Sequence, residues 1–115
     1  MALVPMEKDV SGWSAEVTFT PASGSEAVSS YGSLKGRYNS DLKLAVVKWA
    51  GNGSAPSTFT SYYFTLPDEF KATGSYGTSL DSAKGANMEK QTTSILVQLP
   101  ANRTWTIGEL MYPTV

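Results

Sequence analysis

Residues 51–70 read GNGSAPSTFTSYYFTLPDEF, and this stretch decides the fold class. It holds a glycine turn, a strand with four aromatics and a proline stop. Over 57–66, Phe59, Ser61, Tyr63 and Thr65 fall on one face, and Thr58, Thr60, Tyr62, Phe64 and Leu66 on the other. Threonine and aromatic side chains suit a pleated surface, and a period of two is the strand period. Tyr62 and Tyr63 must therefore point opposite ways, one inward with its hydroxyl satisfied and one outward. Pro67 lacks an amide hydrogen and ends the ladder. The strand at 42–49 is expected to pair with this one as an antiparallel neighbour.

Working outward, the same pattern recurs. Residues 12–20 alternate, with Trp13, Ala15, Val17 and Phe19 on one side, which places Trp13 in the core. Residues 28–38 form a less regular strand. Gly32 and Gly36 within it point to a bulge or a close backbone approach. Asn39, Ser40 and Asp41 make a short turn. Residues 42–49 are apolar on both faces, which predicts a central strand. Pro67 to Phe70 reads as a turn or one helical turn. Residues 70–74 allow a short strand that 75–81 could extend. Residues 82–90, SAKGANMEK, read as a loop because Gly85 weakens any helix. Residues 92–99 alternate cleanly, and 104–112 form the last strand, with Trp105, Ile107, Glu109 and Met111 on one face. The whole is an all-β fold, an antiparallel β-barrel or sandwich of about six or seven short strands. Residues 1–11 read as an N-terminal tail or cloning remnant, and 12–115 as one domain.

Composition narrows the function. The chain has 115 residues, no cysteine and no histidine, and a net charge of −1. Disulfides and thiolate metal sites are excluded, and so is a Ser-His-Asp relay. No basic stripe offers itself to nucleic acid, and no apolar run reaches the roughly 20 residues of a membrane helix. Asp68 and Glu69 are adjacent carboxylates, but no second pair stands at a spacing that favours a glycosidase. The glycine-rich residues 74–79 lack the lysine of a phosphate loop. Asn52-Gly53-Ser54 and Asn102-Arg103-Thr104 match the glycosylation acceptor pattern and read as turns. No cofactor or metal is expected, and no enzymatic activity.

Three stations carry a resemblance. Gly36-Arg37-Tyr38 opens into the apolar run 42–49. Leu66-Pro67-Asp68-Glu69-Phe70 is a strand stop. Leu99-Pro100, Trp105, Gly108-Glu109 and Tyr112-Pro113 make a closing turn and last strand. In this layout, over about 12–115, the chain resembles the head domain of receptor-binding proteins on siphophage tail fibres and baseplates, of the lactococcal-phage type. The resemblance implies a β-barrel assembled as a homotrimer at the tail tip of the virion. It implies binding to a host cell-wall saccharide beside other tail or baseplate proteins, without nucleic acid or membrane insertion. The family's usual shoulder and neck have no counterpart in these residues, which points to an excised head or a different protein. Some members hold sugar with a histidine and an aspartate in the strand before the closing turn. Here that strand reads Ile95-Leu96-Val97-Gln98, so a sugar site would be built differently.

Sugar recognition needs an aromatic face for the C–H side of a pyranose and polar groups for its hydroxyls. The candidates are Trp49, Tyr62, Tyr76, Asp81, Asn102, Arg103 and Trp105. Tyr63, Asp41, Asn52 and Asp68 stand behind them. Against this, Trp105 shares a face with Ile107 and Met111 and reads first as core. Trp49 stands between core and rim. Tyr76 sits in a glycine-rich stretch and is the aromatic expected to be most exposed. Two other readings remain: a structural virion protein that binds only protein neighbours, and a carbohydrate-binding module.

Overall fold

The structure is a computed structural model, and it describes residues 12–81, 86–90, 93–101 and 107–115. The tail at 1–11 lies outside them. Among the described residues there are eight strands: β1 (Val17–Thr18), β2 (Gly32–Asn39), β3 (Leu44–Gly51), β4 (Thr60–Thr65), β5 (Tyr76–Asp81), β6 (Ala86–Lys90), β7 (Ser94–Leu99) and β8 (Ile107–Pro113). They form two antiparallel four-stranded sheets, ordered β1-β2-β3-β8 and β4-β7-β6-β5. This is an all-β sandwich, as the alternation predicts, and it is not a closed barrel.

The inner faces follow strand parity. Ala45, Val47 and Trp49 of β3 and Leu110 and Tyr112 of β8 are buried against Tyr62 and Phe64 of β4 and Ile95, Val97 and Leu99 of β7. Trp49 meets Phe64 edge-on across the layers, at 6.3 Å between ring centroids. At one end Phe70 packs edge-on against Phe19 at 4.7 Å and Tyr38 at 5.5 Å. Gly36 makes room for that cluster, because a Cβ there would stand 2.8 Å from Phe70 Cε1. Gly32 does the same at the other end of β2, where a Cβ would run into Ala50 O and Trp49. Both glycines serve close approach: the strand expected over 28–38 begins only at Gly32, after a 3₁₀ turn at Glu26–Ser30, and runs through Gly36 unbroken.

The sides of the sandwich are closed differently. After β1 the chain crosses to lie along β4, where Ala22 N donates to Tyr63 O (2.8 Å) and Pro21 bridges Phe64. On the other side Tyr76 of β5 stacks on Tyr112 of β8, with centroids 6.1 Å apart. Residues 71–73 run beside the end of β8, with Val115 N donating to Lys71 O at 2.9 Å. The turn after β2 is held by Asn39, whose Oδ1 accepts from the amides of Asp41 and Leu42. Pro67 leads into one 3₁₀ turn, Asp68–Phe70.

Three expectations are corrected. The strand at 42–49 does not pair with that at 57–66: β3 pairs β2 and β8, β4 pairs β7, and the loop between them crosses from sheet to sheet. The expected loop at 82–90 contains β6, an inner strand of the second sheet. The face that was to carry core residues in β8 is the outer one: Glu109 and Met111 are exposed and Leu110 and Tyr112 are buried.

Candidate functional site

Trp13 does not join the core. Carrying the Val17–Gly36 register back would set Ser14 opposite Asn39. Instead Ser14 N donates to Tyr38 O at 2.8 Å, and Tyr38 N donates to Ser14 Oγ at 3.0 Å. Ser14 is buried and Ala15 exposed, the reverse of the alternation that precedes Val17. A slip of one residue moves side chains to the other face of a sheet. Trp13 is thereby half-buried beside a groove of about 290 Å³, lined also by Glu16, Lys35, Arg37, Val46, Lys48 and Glu109.

The groove lies on the outer face of the first sheet, and strand register explains its lining. Lys35, Lys48 and Glu109 are direct neighbours across β2, β3 and β8. Arg37, Val46 and Met111 form the adjacent row. Directly opposed residues share a face, so these side chains must gather outside the sheet once the apolar partners take the inside. Lys35 Nζ lies 3.8 Å from Glu16 Oε1, with both side chains about half exposed. A second hollow of about 180 Å³ adjoins the first and shares Glu16, Lys35 and Lys48 with it, adding Ser33 and Ala50. An aromatic, three cations and two carboxylates thus surround one shallow trough.

The residues singled out from sequence do not assemble into a site. Trp49 is fully buried under Phe64 and offers no face to a ligand. Tyr62 is in the core, 6.0 Å from the Tyr31 ring, while Tyr63 points outward as parity requires. Tyr76 is half-buried rather than the most exposed aromatic, because Tyr112 covers one of its faces and its hydroxyl meets Thr73 Oγ1 at 3.0 Å. Asp81 ends β5, paired with Ala86. Asn102, Arg103 and Trp105 lie outside the described residues. The strand ends that flank them, Leu99 and Ile107, stand at the same end of the sandwich as Asp81 and the loop after β3.

The polar candidates have structural work. Asn52 Nδ2 donates to Ser30 O and its Oδ1 accepts from Ser54 N, so this side chain shapes its own loop. Asp68 pairs with Lys71 at 2.9 Å. The buried Tyr112 hydroxyl donates to Phe70 O at 2.7 Å, and burial pushes its pKa well above the usual tyrosine value. Among the described residues no group of three or more His, Cys, Asp or Glu side chains is placed to hold a metal ion.

The signal that could have found the groove was parity of charge. Lys35, Arg37, Lys48 and Glu109 all stand at positions that alternate with buried ones. Compared with family models, curated proteins and solved structures, the chain matches none.

Proposed function

We propose that the chain is a non-enzymatic binding module that recognises a saccharide in the Trp13 groove, as the head domain of a phage adhesin would. The observation that carries this reading is the groove itself. A half-buried indole stands beside exposed Lys and Glu heads on a rigid sheet face. Sugars bind through C–H contacts on an aromatic plane and hydrogen bonds from charged or amide groups around it. The host-cell wall is the source of saccharide that the head-domain resemblance implies, and the virion tail tip the location.

Assembly as a homotrimer belongs to the same reading. Leu42, Phe59 and Met111 are each more than half exposed (62%, 55% and 59%), apolar area that a neighbouring copy would cover. A monomeric mass by light scattering at micromolar concentration would remove that part. The binding reading is tested by titrating purified protein against a panel of cell-wall polysaccharides and soluble glycans. Wild-type protein is expected to bind at least one of them, and Trp13→Ala to lose that binding while keeping its far-ultraviolet spectrum. Binding that survives Trp13→Ala would move the site elsewhere. The exposed Met111, next to the groove lining, favours a second reading, a virion component that docks on protein. Binding to a tail or baseplate neighbour, with no response to any glycan, would establish it.

A further inference from the structure

The two adjoining hollows on the first sheet differ in character. The first holds Trp13, while the second is floored by Ser33 and Ala50. They share Glu16, Lys35 and Lys48, and the Lys35–Lys48 row stands between the two floors. From the Arg37–Val46 row to the Ser33–Ala50 row is four residues along each strand, about 13 Å at the strand rise. That is longer than a single sugar ring.

The charges between the hollows also select. Reading across the middle row, Glu16, Lys35, Lys48 and Glu109 run acid, base, base, acid, with Arg37 in the next row. A polyanion needs a continuous positive stripe, and carboxylates at both ends of this row repel it. A hydroxyl both donates and accepts, so it can bond to lysine and glutamate alike. The row therefore matches an uncharged polyol better than a phosphate or uronate chain.

We propose that the two hollows are consecutive subsites for one neutral, linear oligosaccharide. Trp13 holds one ring and the Ser33–Ala50 hollow holds the next. This rests on the saccharide reading above and adds chain length and charge to it.

The test is calorimetric titration with neutral glucose, N-acetylglucosamine, mannose, galactose and rhamnose, each as monomer and as linear oligomers, and with polygalacturonate as the charged counterpart. For the responsive series, affinity is expected to rise about tenfold from monomer to dimer. Ala50→Glu, an exposed change that fills the second hollow, should return the dimer to monomer affinity. Amide shifts of Ser33 and Ala50 on adding dimer provide a readout in unaltered protein. Monomer binding as tight as oligomer binding, or silent Ser33 and Ala50 amides, would overturn the two-subsite proposal and leave the saccharide reading standing. Preference for polygalacturonate would overturn the neutral-ligand part. Silence toward every sugar would overturn the saccharide reading and the subsites with it.

Discussion

The two sheets share one core but turn unlike faces to solvent. Outside the first, Lys35, Lys48 and Glu109 form a charged row beside Trp13 and a groove. Outside the second, Ser61 faces Gln98, Thr65 faces Ser94, and Tyr63 lies over Leu96. Over these positions that face carries no charge, and Glu89 of β6 stands beside Leu96. Inner faces are interchangeable in kind, since both must be apolar for the sandwich to form. An outer face is free of that demand, so the dense set of charges around an indole on the first sheet is where function is to be sought.

The largest contrast is between two tryptophans on opposite sides of the first sheet. Trp49→Ala would leave a large hole between Val47, Phe64 and Gly32, and large-to-small core changes of this kind cost about 3–5 kcal/mol. Trp13→Ala removes a half-buried ring outside the core and should cost less than about 1.5 kcal/mol. Urea denaturation of both variants measures the difference. Equal losses would mean that Trp13 is a packing residue and the groove an accident of it.

Next in size is Tyr112→Phe, which probes the seam where β8 meets the 3₁₀ turn. Removing the hydroxyl leaves the Phe70 carbonyl without its 2.7 Å donor in a buried setting, a loss of about 1–3 kcal/mol. The pH dependence has a definite sign. Burial raises the folded-state pKa of Tyr112 above the unfolded value of about 10. Its contribution is therefore complete below about pH 10 and is lost as pH climbs from there toward the folded-state value. Thermal melts between neutral and strongly alkaline pH should show a steeper alkaline decline in the wild type than in the variant. A parallel decline in both would assign alkaline unfolding to other groups.

Much of the fold was legible because strand parity is local. Tyr62 in and Tyr63 out, the stop at Pro67, and the close approaches at Gly32 and Gly36 all follow from a few neighbouring residues. Pairing was not legible in the same way. The loop between β3 and β4 is long enough to cross layers, and nothing within it distinguishes a hairpin from a crossing. β6 was hidden because ANMEK alternates over only four residues, Ala86 and Met88 against Asn87 and Glu89, directly after Gly85, and its place is secured by β5 and β7 on either side. The site was hidden for a further reason. Trp13 leaves the core through a one-residue slip created by Ser14 and Tyr38, which are 24 positions apart. Trp49, in contrast, shares parity with Ala45 and Val47, and that alone should have ranked it as core.

The smallest expected effect separates stability from recognition on the grooved face. Lys35 and Glu16 are 3.8 Å apart and about half exposed, a geometry worth at most about 0.5–1 kcal/mol and screened by salt. Glu16→Gln should therefore leave the urea midpoint almost unchanged. It should still weaken saccharide binding measurably, because Glu16 borders both hollows and its carboxylate accepts where an amide nitrogen cannot. The matching change on the other sheet, Gln98→Ala, removes a 3.5 Å contact to Ser61 on the face away from the groove and should leave saccharide binding unchanged. If the two substitutions act alike on binding, the difference between the outer faces carries no function. If only Glu16→Gln acts, and binding by the wild type stays flat as ionic strength rises, the charged row is donating and accepting hydrogen bonds to an uncharged partner rather than attracting an ion.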